Sequence, residues 1–249
     1  MLERYARELS GAERLVKDAT IACRVYGLAI SLVLLPGNAG FGVANNAAVN
    51  AASSDRILLI NPDVLPRNAD WAAWHTQAVR NLPPEQVALF GVPLYYGDGS
   101  LMHGGMYFEI EQGFSFRNNR TVSRDLMRVE HYGKGVPPET REFRTPRAVP
   151  AVTGAFMSID RAWFESLGGF SPEFIFGHYE DADLCLRSLQ AGRPAWIQDL
   201  PLWHLESRGS PRHPIHQTGA LVNRWNLTSR WSELVKSELS GAHPALFAP

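Results

Sequence analysis

Two spacings of apolar positions divide this chain. Short apolar runs fall at residues 30–35 and 56–60, ended by Pro36-Gly37 and by Asn61-Pro62-Asp63. Runs of that length, bounded by turn residues, read as buried strands. Helical spacing predicts helices over 2–26 (with a break near Ser10-Gly11), from the Asn38–Gly42 turn to 52, and over 70–82, 161–167, 179–191 and 216–239. Further strands are predicted at 87–96, 148–159 and 195–198, with a hairpin-like pair over 101–116. Residues 117–148, rich in Arg, Pro and Gly, read as a long loop, a candidate lid or acceptor loop. Alternation of strand and helix implies an α/β fold: a mainly parallel sheet with helices on both faces, plus a C-terminal helix.

The densest chemistry lies in His178-Tyr-Glu-Asp-Ala-Asp-Leu-Cys-Leu-Arg187, where Glu180, Asp181 and Asp183 crowd the first turn of a helix. The macrodipole favours acids there in any case. Asp183 and Arg187, four apart, make an ordinary surface pair, and Ala182, Cys185, Leu186 and Leu189 supply a core-facing stripe. On spacing alone this is a capped amphipathic helix. Asp181 has no obvious partner on it. A Phe- and Gly-rich loop precedes these acids and Trp203-His204 follows, a setting that suits a base, a sugar and a metal.

Other candidates lie where ligands sit in such sheets, beyond the carboxyl ends of the strands. The turn at Asn38-Ala-Gly-Phe-Gly-Val-Ala-Asn-Asn46 opens a helix whose N–H groups suit an anion or a hydroxyl-rich ligand. Alone, its glycines read as backbone geometry. In Asn61-Pro-Asp63 a carboxylate held by proline suits a hard divalent cation, though the tripeptide is also good turn chemistry. His204, beside a Trp, reads as a packed histidine, and His213 and His216 read as an exposed loop.

Bulk properties narrow the classes. The 249 residues suffice for one substantial domain, and 45% hydrophobic with 20% charged residues is ordinary for a globular protein. A formal charge of −1 leaves no basic footprint for nucleic acid. Cys23 and Cys185, both on apolar helical stripes, read as buried thiols of a reducing compartment. The longest apolar run, within 28–35, is too short to span a bilayer. These features predict a cytoplasmic protein. Trp225 and Trp231, with Arg224 and Arg230, allow at most peripheral contact with the inner face of the plasma membrane.

The order of motifs carries more than any one of them. Asn-x-Gly-Phe-Gly, Asn-Pro-Asp, Val152-Thr-Gly-Ala-Phe-Met157, Leu167-Gly-Gly-Phe170, Glu180-Asp181-x-Asp183-Leu-Cys-Leu-Arg187 and Trp203-His204 follow in turn. This succession resembles the family-2 glycosyltransferases of the GT-A fold, a Rossmann-like architecture. It is most similar to the rhamnosyltransferase-like bacterial members that build surface polysaccharides. The resemblance runs from about residue 28 to residue 210. It implies one glycosyltransferase-like domain over 1–249: N-terminal helices to 27, a core over 28–210, and a C-terminal loop and helix.

The resemblance also implies roles. Asp181 matches the catalytic base and Glu180 its supporting neighbour. Asp63 matches the last carboxylate of an Asp-x-Asp metal motif whose first position is Asn61 here, and His204 completes the metal–diphosphate site. Asn38, Gly40, Phe41, Asn45, Gly154 and Ala155 match segments that lie against the donor or acceptor. The implied cofactor is Mn or Mg, the implied donor a nucleotide sugar, and the implied acceptor a glycan or lipid-linked saccharide. A base, a cation and no second nucleophile suit single displacement with inversion. Phe176, Tyr179 and Trp203 would stack on sugar faces.

The chain departs from that family at its start. Members begin with a strand, a helix and a second strand that reads the nucleoside, whereas here residues 2–26 are helical. A fragment of a longer protein, a misassigned start and a naturally shortened form that binds sugar without transferring it all remain open. An unpaired sheet edge would favour association into a homo-oligomer.

Overall fold

The computed structural model describes residues 2–82, 88–205 and 214–239. The chain divides into two compact units, Met1–Ala39 and Gly40–Pro249.

In the first unit, helix α1 (Leu2–Tyr26) runs unbroken through Ser10-Gly11, so Gly11 lowers local helix propensity without ending the helix. The strand expected over 30–35 is absent: residues 27–35 form neither helix nor strand. An apolar run becomes a strand only when a partner takes up its ladder groups.

The second unit holds α2 (Phe41–Ala51), β1 (Arg56–Ile60), β2 (Val64–Pro66) and α3 (Trp71–Arg80). Next come β3 (Leu89–Gly91), β4 (Leu94–Tyr95), β5 (Leu101–His103), β6 (Met106–Arg117) and β7 (Arg120–His131). The chain continues through β8 (Arg147–Val149), β9 (Phe156–Asp160), α4 (Arg161–Ser166) and α5 (Glu180–Gln190). Then come β10 (Ala195–Ile197), β11 (Leu202–His204) and α6 (Pro214–Leu234), which runs on into a π-helical turn, Val235–Leu239.

Five strands form one sheet in the order β1-β9-β3-β10-β8, and four form another in the order β2-β11-β4-β5. Both are mixed, which corrects the mainly parallel sheet expected from the strand–helix alternation. In the larger sheet only β3–β10 is parallel, and in the smaller only β4–β11. The segments expected as the single strands 87–96 and 148–159 each split in two. Pro93, with no N–H for a ladder, stands between β3 and β4. In the second segment, residues 150–155 leave one edge of the larger sheet at β8 and re-enter at β9, beside β1.

The loop expected over 117–148 is half ribbon. β6 and β7 pair in unbroken antiparallel register from Met106↔His131 to Arg117↔Arg120. Asn118 and Asn119 connect them with φ of 49° and 61°. Two left-handed residues in a two-residue loop match the right-handed twist of a hairpin, and Asn tolerates them. The base of the ribbon is fixed to α6: Met127 N–H donates to Thr228 Oγ1 at 2.9 Å, and Arg224 donates to Met127 O at 2.7 Å.

The main apolar core lies between the larger sheet, α5 and α6, around Leu89, Met127, Met157, Leu184, Cys185 and Leu227, all fully buried. Cys185 is thus a buried thiol as expected, while Cys23 in α1 is half-buried. A smaller core around Phe156, Leu94 and Leu202 joins the smaller sheet to the opposite face.

Candidate functional site

Residues 153–155, the turn into β9, tie three parts of the second unit together. The N–H of Gly154 donates to Asp181 Oδ2 at 2.9 Å. Ala155 O accepts from Asn61 N–H at 2.9 Å. Thr153 N–H points to His103 Nε2 at 3.5 Å. The acid helix, the Asn-Pro-Asp turn and the end of β5 therefore meet at one short segment.

Asp181 does have partners, though not on the turn below it. Its Oδ1 accepts the N–H of Ala182 at 2.8 Å, and Gly154 takes Oδ2. A carboxylate oxygen accepts two hydrogen bonds, so each keeps a site for an incoming hydroxyl. Glu180 lies deeper, only 5% exposed, and its Oε2 has no partner among the described residues. Burial, reinforced by the charge of Asp181, pushes its pKa up to about 8. At neutral pH Glu180 is therefore held in its protonated form.

Asp183 is structural. It is fully buried and accepts from Arg187 at 2.9 Å, Arg230 at 3.1 Å and Trp231 Nε1 at 2.9 Å. The surface pair expected with Arg187 is instead a buried node that fastens α5 to α6.

The loop before Glu180 is under backbone strain. Phe176, His178 and Tyr179 all have positive φ, at 61°, 76° and 74°, a conformation L-residues avoid. Asn223 of α6 holds this loop in place. Its Oδ1 accepts from Ile175 N–H at 2.8 Å, and its amide donates to the carbonyls of Ile175, Gly177 and His178 at 2.9, 2.8 and 3.1 Å. On the other side, Phe41 N–H donates to Phe176 O at 2.6 Å. The backbones approach so closely at Gly40 (φ 84°) that a Cβ there would lie 2.7 Å from Phe176 Cα.

Phe41 covers Gly154: a Cβ on Gly154 would stand 2.9 Å from its ring. Phe170 meets the same ring edge-on, with centroids 5.6 Å apart. Asn46, not Asn45, makes the tertiary contact from α2. It grips the backbone of Phe170 with bonds of 2.8 and 2.9 Å, whereas Asn45 donates to Phe41 O within its own helix. Asn38 belongs to the first unit, Met1–Ala39, and these residues to the second.

Asp63 and His204 come together across paired strands. His204 stands opposite Val64 in the β2–β11 ladder, and its Nε2 lies 3.3 Å from Asp63 Oδ1. Its Nδ1 lies 3.1 Å from the sulfur of Met102. Two electron-rich atoms, a carboxylate oxygen and an imidazole nitrogen, need a proton or a cation between them. Among the described residues no group of three His, Cys, Asp or Glu could hold a metal. One carboxylate and one imidazole nevertheless fit an ion completed by phosphate oxygens and water, as Mg²⁺ commonly is.

The expected aromatic cage divides. Tyr179 caps α5, but Phe176 packs toward α6, where a Cβ on Gly219 would be 3.4 Å from its ring. Trp203 is under Arg67, whose guanidinium carbon lies 4.1 Å from its ring centre and 4.6 Å from that of Tyr95. His213 lies outside the described residues, as does the side chain of His216.

Asn46, Asn223 and the His103–His131 contact (Nδ1 to Nδ1, 2.9 Å) carry weight the sequence reading missed. The signal for the two asparagines was their poor fit to helix interiors, where Asn competes with the backbone for hydrogen bonds.

No protein-family model matches the chain. The crystal structure of GalNAc-T7 with UDP, GalNAc and Mn²⁺ superposes with a TM-score of 0.56 at 14% identity, over 88% of this chain and 40% of that one. The fold is GT-A-like. The mannosyltransferase PcManGT of Pyrobaculum calidifontis, solved with GDP-Man and Mn²⁺, aligns with a TM-score of 0.46 at 18% identity, over 90% of this chain and 62% of that one. In sequence, the uncharacterized protein y4gI of Sinorhizobium fredii (strain NBRC 101917 / NGR234) is 29% identical over 168 residues. Those residues are 67% of this chain and 17% of that protein. No helix among the described residues is long and apolar enough to cross a membrane.

Proposed function

We propose that the chain is an inverting glycosyltransferase domain, moving a sugar from a nucleotide-sugar donor to a glycan or lipid-linked acceptor, as in surface-polysaccharide assembly. The observation that carries this reading is the placement of Asp181. Its carboxylate group, anchored by Gly154 N–H, stands beside a buried, protonated Glu180 and the wall formed by Phe41 and Gly154.

Asp181 accepts the proton of the acceptor hydroxyl as that oxygen attacks the anomeric carbon. A positioned base of this kind contributes on the order of 10²–10⁴ in rate. Glu180 stays protonated, so no second carboxylate competes as nucleophile, which suits inversion in a single displacement. The turn at 153–155 and Phe41 form the wall against which the sugar lies. Asp63 and His204 would hold a divalent cation, which supplies Lewis-acid neutralisation of the diphosphate leaving group. In this reading residues 1–249 act as one glycosyltransferase-like domain, working in the cytoplasm, at most in peripheral contact with the inner face of the membrane.

A second reading, a glycan-binding domain that no longer transfers sugar, is favoured by Asn61 at the first metal-motif position. The two separate in one experiment. Single-turnover transfer from a radiolabelled nucleotide sugar should fall at least a hundredfold in Asp181→Asn while donor binding persists. Unchanged turnover would overturn the base assignment. Saccharide binding by a wild type that neither binds nor turns over any donor would leave the glycan-binding reading standing.

A further inference from the structure

The residues expected to touch a membrane, Arg224, Trp225, Arg230 and Trp231, are mostly taken up by packing. Arg224 reaches Met127 O and Glu111, Arg230 reaches Asp183 and Glu173, and Trp231 is only 7% exposed. A surface of the right chemistry stands at the far end of the β6–β7 ribbon.

The ribbon changes character along its length. Near its base, Phe108, Ile110, Met127 and Val129 share a face that packs into the main core. The charges there neutralise one another: Arg128 pairs with Glu109, Glu111 and Glu130, and Lys236 pairs with Asp125 at 2.9 Å. Beyond the Gln112↔Asp125 pair the strands run on to the Asn118-Asn119 turn, a stretch of about 20 Å. Residues 112–124 include Arg117, Arg120 and Arg124 and no acid. Arg120 and Arg124 are exposed, and neither forms an ion pair among the described residues. Apolar groups stand out beside them, with Phe114 70% and Val122 41% exposed.

The register decides which partner suits this tip. Residues directly opposite in a ladder share a face, and faces alternate along each strand. Phe114 stands opposite Ser123, whereas Val122 stands opposite Ser115 and Arg124 opposite Gly113. Phe114 therefore lies on one face, and Arg120, Val122 and Arg124 lie on the other. A nucleic-acid groove or a flat protein surface covers one face of a ribbon and would leave the apolar group of the other in water. A bilayer interface entered end-on surrounds both. Apolar side chains there enter the acyl boundary, while arginines bury their stems and reach the phosphates. Anionic headgroups complement a tip with three arginines and no acid, each arginine adding about fivefold in binding.

We propose that the tip of the β6–β7 ribbon is a docking site for an anionic lipid bilayer, entered end-on by Phe114 and Val122 with Arg120 and Arg124 at the phosphates. The site needs none of the transfer chemistry, so vesicle binding and turnover stand or fall separately.

The test is cosedimentation of the full chain with phosphatidylcholine vesicles that contain phosphatidylglycerol, against phosphatidylcholine alone. Saturable binding to the anionic vesicles is expected, at least about tenfold weaker in 1 M salt, where screening acts within about 3 Å. Arg120→Gln and Arg124→Gln should each weaken it about fivefold, and Phe114→Ser and Val122→Ser about tenfold each. All four positions are exposed, so the melting temperature should not change. Trp225→Ser, at an exposed position of α6, should leave binding intact. Equal binding to neutral vesicles, binding that survives all four tip variants, or loss in Trp225→Ser would overturn the proposal. So would an effect of only one of Phe114→Ser and Val122→Ser, which would mean docking by a single face. Absence of cosedimentation at millimolar lipid would overturn it too, as would a random-sequence DNA duplex or RNA strand that binds more tightly than the vesicles.

Discussion

The N–H of Gly154 donates to Oδ2 of Asp181 at 2.9 Å, joining the turn into β9 to the first turn of α5 across 27 residues of sequence. A carboxylate in a first helical turn is ordinary. One fixed by a distant backbone N–H, with a glycine beneath an aromatic ring at the same point, has a defined direction.

Adjacent acids should behave as opposites. Asp183→Ala leaves Arg187 and Arg230 without their shared buried partner and should cost about 3–5 kcal/mol. Asp181→Asn keeps the shape of its side chain but gives up one of its two N–H acceptors, and should cost less, about 1–2 kcal/mol. Urea unfolding of both variants checks this, and a reversed order would contradict the roles given to them.

Gly154→Ala places a methyl group 2.9 Å from the Phe41 ring. The overpacking should destabilise by about 1–3 kcal/mol. Phe41→Leu, combined with it, should recover part of that loss. A four-variant cycle measures the coupling, and strict additivity would mean that the ring and Gly154 do not share this contact.

Asn223→Ala removes bonds to Ile175, Gly177 and His178 from a loop with three left-handed non-glycine residues. A loss of about 1–3 kcal/mol is expected. Hydrogen exchange at residues 175–181 should quicken more than exchange in the core strands. Uniform loosening would argue against a local clamp.

Glu180 adds a pH dependence of known sign. Its folded pKa is raised to about 8, chiefly by burial and then by Asp181, so above the unfolded value the folded state holds a proton that the unfolded state releases. The stabilising contribution is full at acid pH and is lost progressively as pH rises through about 8. Glu180→Gln should flatten stability between pH 5 and 8, roughly the window separating the free and shifted carboxyls. Melts across that range that are as steep as those of wild type would contradict a buried, protonated Glu180.

The elements with strong periodicity were legible. Strands at 56–60 and 195–197 and helices over 71–80 and 180–190 fall within a residue or two of expectation. The β6–β7 ribbon was legible only in its first strand, where Met106, Phe108 and Ile110 alternate toward the core; in β7 only Met127 and Val129 mark the buried face among Arg, Asp and Glu, so the return strand read as loop. The Asn118-Asn119 turn was the signal available. Parallel order failed for a different reason. Strand direction depends on where the chain re-enters the sheet, and the excursion over 150–155 leaves no periodic trace. At the site, motif order paired Asp63 with His204, while the Gly154–Asp181 bond and the clamps by Asn46 and Asn223 depend on side-chain reach between helices and loops.

The central claim is a donor site centred on Asp63, His204 and Asp181. Its most direct measurement is a thermal-shift titration with UDP, GDP, dTDP and CDP, each with manganese and with chelator, on wild type and Asp63→Ala. A manganese-dependent rise with one nucleotide, absent in Asp63→Ala, is the predicted result. No shift with any nucleotide, from a folded wild type, would contradict the account.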